Sequence, residues 1–265
     1  MDKATLGGIV IALLGILGGM SIEGGKIVQI LQPTAAMIVF GGTLGAVMIA
    51  YPLPVVITSF KRLSQVLLEK TESPEGLIKE MLGYAQKARK EGIVALDNQL
   101  GSINNPFLKK SLMLAIDGTE PEELRKMMEL DMANQAEQEE RVPQVFEAAG
   151  GFAPTIGIIG AVLGLIQVMQ HLDNINEVGR GIAVAFVATI YGVASANIFF
   201  LPVAGKLKIR NRHEETIREM ILEGVISILE GLNPRMVETK LRGFVAESAQ
   251  KEKEKPKQEE LEHAR

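Results

Sequence analysis

The 265-residue chain contains no cysteine and only three histidines. Without cysteine it can form neither a disulfide nor a thiolate metal site. His171, His213 and His263 lie far apart and none has the HExxH spacing of zinc hydrolases, so we expect no metal site. A basic excess is also missing, because 28 Lys and Arg stand against 32 Asp and Glu. The mildly acidic balance argues against a nucleic-acid partner.

Charge itself is missing from four long stretches of the chain. No Asp, Glu, Lys, Arg or His occurs in residues 4–22, 27–60, 148–170 and 181–205. A helix that crosses about 30 Å of hydrocarbon needs roughly 20 predominantly apolar residues. A soluble domain of this size would instead distribute charge over its helix surfaces. The sequence therefore predicts an all-α, polytopic membrane protein with four transmembrane helices.

The ends of these spans follow from proline and from the flanking charges. We place the spans at residues 5–22, 33–51, 152–171 and 182–203. The second uncharged window is too long for one straight span, so its helix is expected to begin at Pro33, since proline suits a first helical turn. Pro52 and Pro54 are expected to break it. The first run is followed by no small-residue cleavage site, which indicates an uncleaved span and not a signal peptide.

Basic residues predict the orientation in the membrane. Segment 61–147 carries 12 Lys and Arg and segment 206–265 carries 13, whereas the two short connections hold only Lys26 and Arg180. Under the positive-inside rule both long segments, and both termini, are cytoplasmic. The expected parts are membrane helices 1 and 2 (1–60), a cytoplasmic helical domain (61–147), membrane helices 3 and 4 (148–205), cytoplasmic C-terminal helices (206–246) and a disordered charged tail (247–265).

The cytoplasmic segments read as helices. Ser73-Pro74 and Pro106 are typical helix starts, and Gly92 and Gly118 are typical stops. The sequence Thr119-Glu120-Pro121-Glu122 predicts a further start, from which a helix can run unbroken into the third span. After the fourth span, apolar residues keep helical spacing up to Asn233-Pro234.

The spans contain no Asp or Glu, although proton and sodium pathways through membranes usually need an ionisable carboxylate. If the chain conducts ions, that carboxylate must come from another chain. Thr189 is a candidate pore-lining residue, while Ser195 and Asn197 are more simply explained by helix packing. Packing also explains the glycines of the first two spans. The third span carries a glycine face of its own at Gly157, Gly160 and Gly164.

These residues resemble a known family. The run from Gly151 to Gly164, with Pro154 inside it, is similar to the third span of the MotA/PomA flagellar stator family. The run from Ala185 to Pro202 resembles the family's fourth span, and the stretch from Glu230 to Phe244 resembles its cytoplasmic C-terminal part. With four spans and a large loop after the second, the resemblance covers about residues 1–245.

The resemblance implies a stator subunit of the bacterial flagellar motor in the inner membrane, built as a homo-pentamer around a dimer of a MotB-type partner. That partner has a single span and a peptidoglycan anchor, and it supplies the membrane carboxylate. Ion flow would then turn the ring against the rotor protein FliG, without any cofactor and without enzymatic activity. The lipid bilayer is the remaining partner.

Individual roles follow from the same resemblance. Pro154 and Pro202 match functionally essential prolines, and Thr189 matches the fourth-span threonine of proton- and sodium-driven members alike. Sodium-driven members tend to carry threonine where this chain has Ala161, which favours H+ over Na+ as the coupling ion. For the rotor contact the matching positions are Arg89, Lys90 and Asp97, the last an Asp where members commonly carry Glu.

Three alternatives are weighed against this interpretation. An ExbB/TolQ-type energiser of outer-membrane processes has three spans with its long loop after the first, whereas two spans precede the loop here. A solute transporter is expected to show internal repeats and charged or broken-helix sites at the midplane, and neither is seen. An intramembrane enzyme would need a nucleophile and base, or a metal-ligand set, inside the spans.

Overall fold

The computed structural model describes residues 3–68 and 73–245, and within them every regular element is a helix. In chain order these are α1 Lys3–Ile22, α2 Pro33–Ala50, α3 Leu53–Leu68, α4 Pro74–Glu91, α5 Pro106–Ile116, α6 Pro121–Gln170, α7 Ile175–Leu229, and α8 over residues 234–245. Short 3₁₀ segments occur at Ile27–Ile30 and Ile93–Ser102. The predicted all-α class is confirmed, and the predicted disordered tail lies outside the described residues.

Four of these helices are long and apolar enough to cross a membrane: α1, α2 and parts of α6 and α7. This confirms the four predicted spans. The fourth helix, however, begins at Ile175 and not at residue 182. Its N-cap is Asn174, whose side chain accepts a hydrogen bond from the backbone N–H of Asn176 at 3.2 Å. The sequence did not predict this start, because the span was placed from the uncharged window and the first turns of the helix carry Glu177 and Arg180.

Glycine and proline set the helix boundaries where the sequence predicted them. Helix α4 ends at Gly92 and α5 at Asp117-Gly118, with both glycines at positive φ (+85° and +86°), the region that favours glycine. Helix α2 starts at Pro33 and ends just before Pro52. Helix α6 runs unbroken for 50 residues, so the helix predicted to begin near Pro121 and the third span are one element.

Two turns of π-helix interrupt the spans, and the sequence did not predict either. One lies in α2 at Met37–Gly41 and the other in α7 at Ser195–Phe200. The second ends directly before Leu201-Pro202. Proline cannot donate a helical hydrogen bond and its ring crowds the preceding turn. The wider π turn accommodates the missing hydrogen bond and the proline ring without ending the helix.

The chain divides into two compact units. The first comprises Met1–Lys70 and Glu139–Ile209, which include the four spans. Its buried side chains form small clusters between α2, α6 and α7, for example Ala35, Val39, Val184, Val187 and Ala188. The second comprises Thr71–Gln138 and Arg210–Arg265. Its core is one larger cluster in which Met81, Leu108, Leu124, Ile221 and Leu241 are fully buried.

Candidate functional site

The third and fourth spans, α6 and α7, pack backbone against backbone through glycines. A Cβ placed on Gly192 would lie 2.5 Å from the carbonyl oxygen of Ala153, and one on Gly157 would lie 2.9 Å from that of Ala188. Gly164 is equally close to the α7 backbone. A backbone oxygen cannot move aside as a side chain can, so only glycine allows this approach. The glycine face of the third span is therefore the contact with the fourth.

This contact brings Pro154 and Thr189 together. The Cα of Pro154 lies 3.2 Å from the position of a Cβ on Gly192, and the Cα of Thr189 lies 3.5 Å from that of a Cβ on Gly157. Both residues are half-buried. The Thr189 hydroxyl donates to the carbonyl oxygen of Ala185 at 3.2 Å. Its oxygen keeps lone pairs that can accept a hydrogen bond from water or from a protonated group.

The other two predicted residues lie on neighbouring turns. Pro202 is exposed, and the side chain of the preceding Leu201 covers Gly150, one turn before Pro154. Gly150 is also the residue whose carbonyl Pro154 leaves without its usual helical donor. Ala161 is half-buried further along α6. Both prolines thus belong to one region of the α6–α7 contact.

The two spans contribute no carboxylate to this region, since the uncharged windows cover both of them. Among the described residues, no group of three or more His, Cys, Asp or Glu side chains is placed to hold a metal ion. The polar groups that these spans offer an ion are hydroxyls, amides and backbone carbonyls.

Two residues near the site were not predicted. Thr155 follows Pro154 directly and is exposed, with its hydroxyl bonded to the carbonyl of Phe152 at 2.8 Å. Pro143 lies buried inside α6, three turns before Pro154. Two features of the sequence could have indicated them: a hydroxyl side chain directly after Pro154, and a second proline in the same helix. Neither residue interrupts the pattern of apolar residues from which the helices were predicted.

Ser195 and Asn197 bond back to their own helix. The Ser195 hydroxyl donates to the carbonyl of Gly192 at 3.1 Å, and the Asn197 amide donates to that of Val193 at 2.9 Å. Both lie in or beside the π turn of α7. These bonds satisfy polar groups at membrane depth, in line with the packing role expected for them.

The predicted rotor-contact residues lie on the surface of the second unit. Arg89 and Lys90 are in the last turn of α4 and Asp97 is in the 3₁₀ segment that follows Gly92. All three side chains are exposed. Basic residues at a helix C-terminus interact favourably with the helix dipole. This corner therefore presents both signs of charge to solvent.

An ion-pair cluster joins α6, α7 and α8 within the second unit, with the Glu223 side chain largely buried and those of Arg125 and Lys240 partly exposed. Arg125 donates to the Glu223 carboxylate at 2.8 Å, and Lys240 binds its other oxygen. Burial raises the pKa of Glu223, but the hydrogen bonds from Lys240 and Arg125 outweigh burial and hold the pKa below its ordinary value. Glu223 therefore stays ionised and holds the three helices together.

The chain is similar to known proteins over nearly its whole length. Residues 99–220 match the sequence model of the MotA/TolQ/ExbB proton channel family, and residues 6–92 match that of the motility protein A N-terminal region. Motility protein A of Bacillus subtilis (strain 168) is 37% identical over 243 residues, which is 91% of this chain and 90% of that protein.

Two solved structures are similar in fold as well as in sequence. The C. jejuni MotAB structure matches with a TM-score of 0.87 and 31% identity, covering 92% of this chain and 96% of that one. The flagellar MotAB stator complex from Bacillus subtilis matches with a TM-score of 0.83 and 36% identity, covering 91% and 94%.

Proposed function

The chain belongs to the MotA/TolQ/ExbB proton channel family and is a stator subunit of the bacterial flagellar motor, and from this premise we propose how its residues serve that function. With a MotB-type partner it forms the ion channel that converts ion flow into rotor torque. The observation that carries this conclusion is the agreement of sequence and fold with MotAB stators over more than nine-tenths of the chain.

The motility branch is favoured over the ExbB/TolQ branch by the first 92 residues. Two spans, α1 and α2, precede the long cytoplasmic segment. The motility protein A N-terminal region matches the same residues, 6–92. The ExbB/TolQ-type arrangement, with one span before its loop, does not account for α2.

We propose that the ion passes along the α6–α7 contact near Pro154 and Thr189. The partner supplies the carboxylate, since these spans have none. The Thr189 oxygen and the carbonyl of Gly150, which Pro154 leaves without a helical donor, then provide polar groups in an otherwise apolar wall. Binding and release of the ion change the charge beside this contact. The helices can then change their bend at the two prolines, where a backbone hydrogen bond is missing.

The proposed coupling ion is the proton. Ala161 offers a methyl group where sodium coordination would call for an oxygen ligand. A proton needs only the partner's carboxylate and a chain of water. The test is the speed of tethered cells across a sodium series at fixed pH and membrane potential. A flat response is expected, whereas speed that saturates with sodium and stops without it would refute proton coupling.

The proposed setting is the inner membrane, with both termini in the cytoplasm. The positive-inside rule supports this orientation, because Lys61, Arg62 and the basic residues that follow the fourth span flank the two long segments. We further propose a homo-pentamer around a partner dimer. None of the first span's residues is buried within a single chain. Its apolar surface suits lipid, and the contacts between copies close a ring.

The rotor protein FliG is the proposed target of Arg89, Lys90 and Asp97. Arg89→Glu is expected to impair swimming, and reversing an opposing charge on the rotor is expected to restore part of it. Arg235→Glu on α8 is the matched control, because Arg235 is also exposed and lies in the same unit. If no rotor charge reversal rescues Arg89→Glu, direct pairing is wrong.

A further inference from the structure

We infer that Tyr191 is a positioning residue for ion flow, which anchors the fourth-span turn beside Pro154 to the connection between the first two spans. The inference rests on the proposed ion pathway at Pro154 and Thr189. The tyrosine itself is not suggested to bind the ion. Its role follows from three contacts: two hydrogen bonds and one ring contact.

The first two contacts are hydrogen bonds to the backbone of the connection. The Tyr191 hydroxyl donates to the carbonyl oxygen of Ile30 and accepts from the N–H of Gln32 at 3.3 Å. Ile30 ends the 3₁₀ segment, and Gln32 is the extended residue that caps α2. One side chain therefore satisfies both a donor and an acceptor of non-helical backbone.

The third contact ties the same tyrosine to the second span. The ring of Tyr191 stacks on that of Phe40, with centroids 5.9 Å apart. Phe40 lies well inside the second span, and Tyr191 lies well inside the uncharged window of the fourth. Ile30 and Tyr191 both pack on the buried cluster that contains Val39 and Ala188. Irregular backbone at such depth is tolerated only where protein groups satisfy it, and Tyr191 provides them.

The same turn of α7 touches the ion pathway. Gly192, the next residue, would clash through any Cβ with the carbonyl of Ala153 and the Cα of Pro154. Thr189, two residues before the tyrosine, lies against Gly157. One side of this α7 turn contacts Pro154. On the other side, Tyr191 fixes how the turn is rotated about the helix axis and where it lies along that axis. A small displacement of that turn changes the distance between Thr189 and the ion, and rates fall steeply with misplacement of reacting groups.

The test is torque per stator unit in single motors carrying Tyr191→Phe, measured from the speed steps as units join. The variant keeps the ring and its stacking and removes only the hydroxyl. Torque per unit is expected to fall by about fivefold or more, since a half-buried donor and acceptor are left unpaired and the turn loses its anchor. Proton flux through the assembled channel in membrane vesicles is expected to fall in parallel, while the number of units stays at the wild-type level.

Tyr51→Phe is the matched control. The Tyr51 hydroxyl also donates to a helix carbonyl, that of Gln144 at 3.2 Å, but Gln144 lies almost three turns of α6 before Pro154. It is expected to leave torque per unit unchanged. Full torque per unit in Tyr191→Phe overturns the inference. Fewer units, each with full torque, also overturn it, because Tyr191 would then be only a structural anchor.

Pro154→Ala in the same strain separates this inference from the ion pathway on which it rests. Full torque in Pro154→Ala overturns the pathway, whereas full torque in Tyr191→Phe beside a stalled Pro154→Ala overturns only the role of Tyr191. If Tyr191→Phe does not assemble, amide hydrogen exchange in the wild-type complex decides. The Gln32 amide is expected to exchange at least about tenfold more slowly than that of Lys26, which bonds only an exposed side chain. Equal rates refute the anchor.

Discussion

At the scale of single residues, the molecule separates glycines that make contacts from glycines that do not. Gly157, Gly164 and Gly192 leave no room for a Cβ, because backbone atoms of the facing span occupy the space. The glycines of α1, such as Gly15 and Gly18, meet no other part of the chain within 4 Å of a Cβ position. Among the described residues, the glycines that bring spans together lie mainly between α6 and α7, and Gly42 of α2 adds a close contact with Ile156 of α6. The packing expected for the first-span glycines is not found inside the chain.

The first prediction concerns Gly192. In Gly192→Ala the new methyl group would meet the carbonyl of Ala153, so the spans must separate. Such overpacking typically costs about 1–3 kcal/mol. We expect a lower thermal unfolding midpoint for the purified complex. Gly179→Ala on the same helix is the control, because no atom lies within 4 Å of a Cβ placed on Gly179. It should leave the unfolding midpoint unchanged. Equal midpoints for both variants would show that the contact is looser than described.

The second prediction concerns Glu223, whose pKa is held below its ordinary value of 4.5 by Lys240 and Arg125 despite burial. A carboxyl with a lowered folded-state pKa adds stability above its unfolded pKa and loses it as the pH falls through the folded value. Glu223→Gln removes that contribution, which is smaller than the roughly 1.5–3 kcal/mol of a buried charged hydrogen bond because Arg125 and Lys240 are partly exposed to solvent. The variant should melt at a lower temperature than the wild type. This difference should be largest near pH 7 and should shrink below about pH 4.5.

The exposed Glu215, on the same helix, provides the control for this titration. Glu215→Gln should melt close to wild type at every pH, because solvent-exposed charges contribute little. A difference for Glu223→Gln that is the same at pH 7 and well below pH 4.5 would mean that lost packing, and not the ionised carboxylate, accounts for the effect.

At the scale of elements, two helices serve both units of the chain. Helix α6 reaches from Pro121 to Gln170 with Pro143 and Pro154 inside it, and α7 carries a π turn before Pro202. A proline in a helix interior breaks a hydrogen bond and favours a bend. The irregular turns of both helices therefore lie near the contact that we propose for the ion.

The third prediction concerns these prolines. Pro154→Ala restores an N–H that can bond the carbonyl of Gly150, which straightens the helix and removes a polar group from the pathway. We expect near-normal membrane levels and assembly but little or no rotation, and the same for Pro202→Ala. Immunoblots of membranes and tethered-cell speeds measure the two properties together. Normal torque in both variants would contradict the assignment.

Elements whose ends are marked by charge, glycine or proline were predictable, and the others were not. The spans, the helix starts at Pro33 and Pro74 and the stops at Gly92 and Gly118 each have a local signal. The start of α7 at Ile175 was missed because charged residues fill its first turns. The π turns were missed because α- and π-helices share one hydropathy pattern.

The site was predicted less completely than the fold. The motifs around Pro154 and Thr189 pointed to α6 and α7, but residue spacing cannot show that Gly192 meets Ala153 across two spans. The bonds of Tyr191 to Ile30 and Gln32 join residues about 160 positions apart, and no periodicity encodes such a pair. Tertiary contacts of this kind become visible only in three dimensions.

At the scale of the whole molecule, the chain is an incomplete channel. Its spans hold no Asp or Glu, and large apolar side chains such as Ile11, Leu14 and Ile158 are exposed in the single chain. Apolar surface of this extent requires lipid or further protein. The second unit, by contrast, has a closed core and carries its charges outward. This division fits the proposal that ions flow through the first unit and that the second unit faces the rotor.

The most direct test of this account is the rotation of single motors in cells that lack their own stator and produce only this chain with its MotB-type partner. Speed is recorded while an uncoupler lowers the membrane driving force in steps. We predict that speed rises in equal increments as units join and falls to zero with the driving force. Motors that stay still although both chains are assembled in the membrane, or that turn without the partner, would contradict the account.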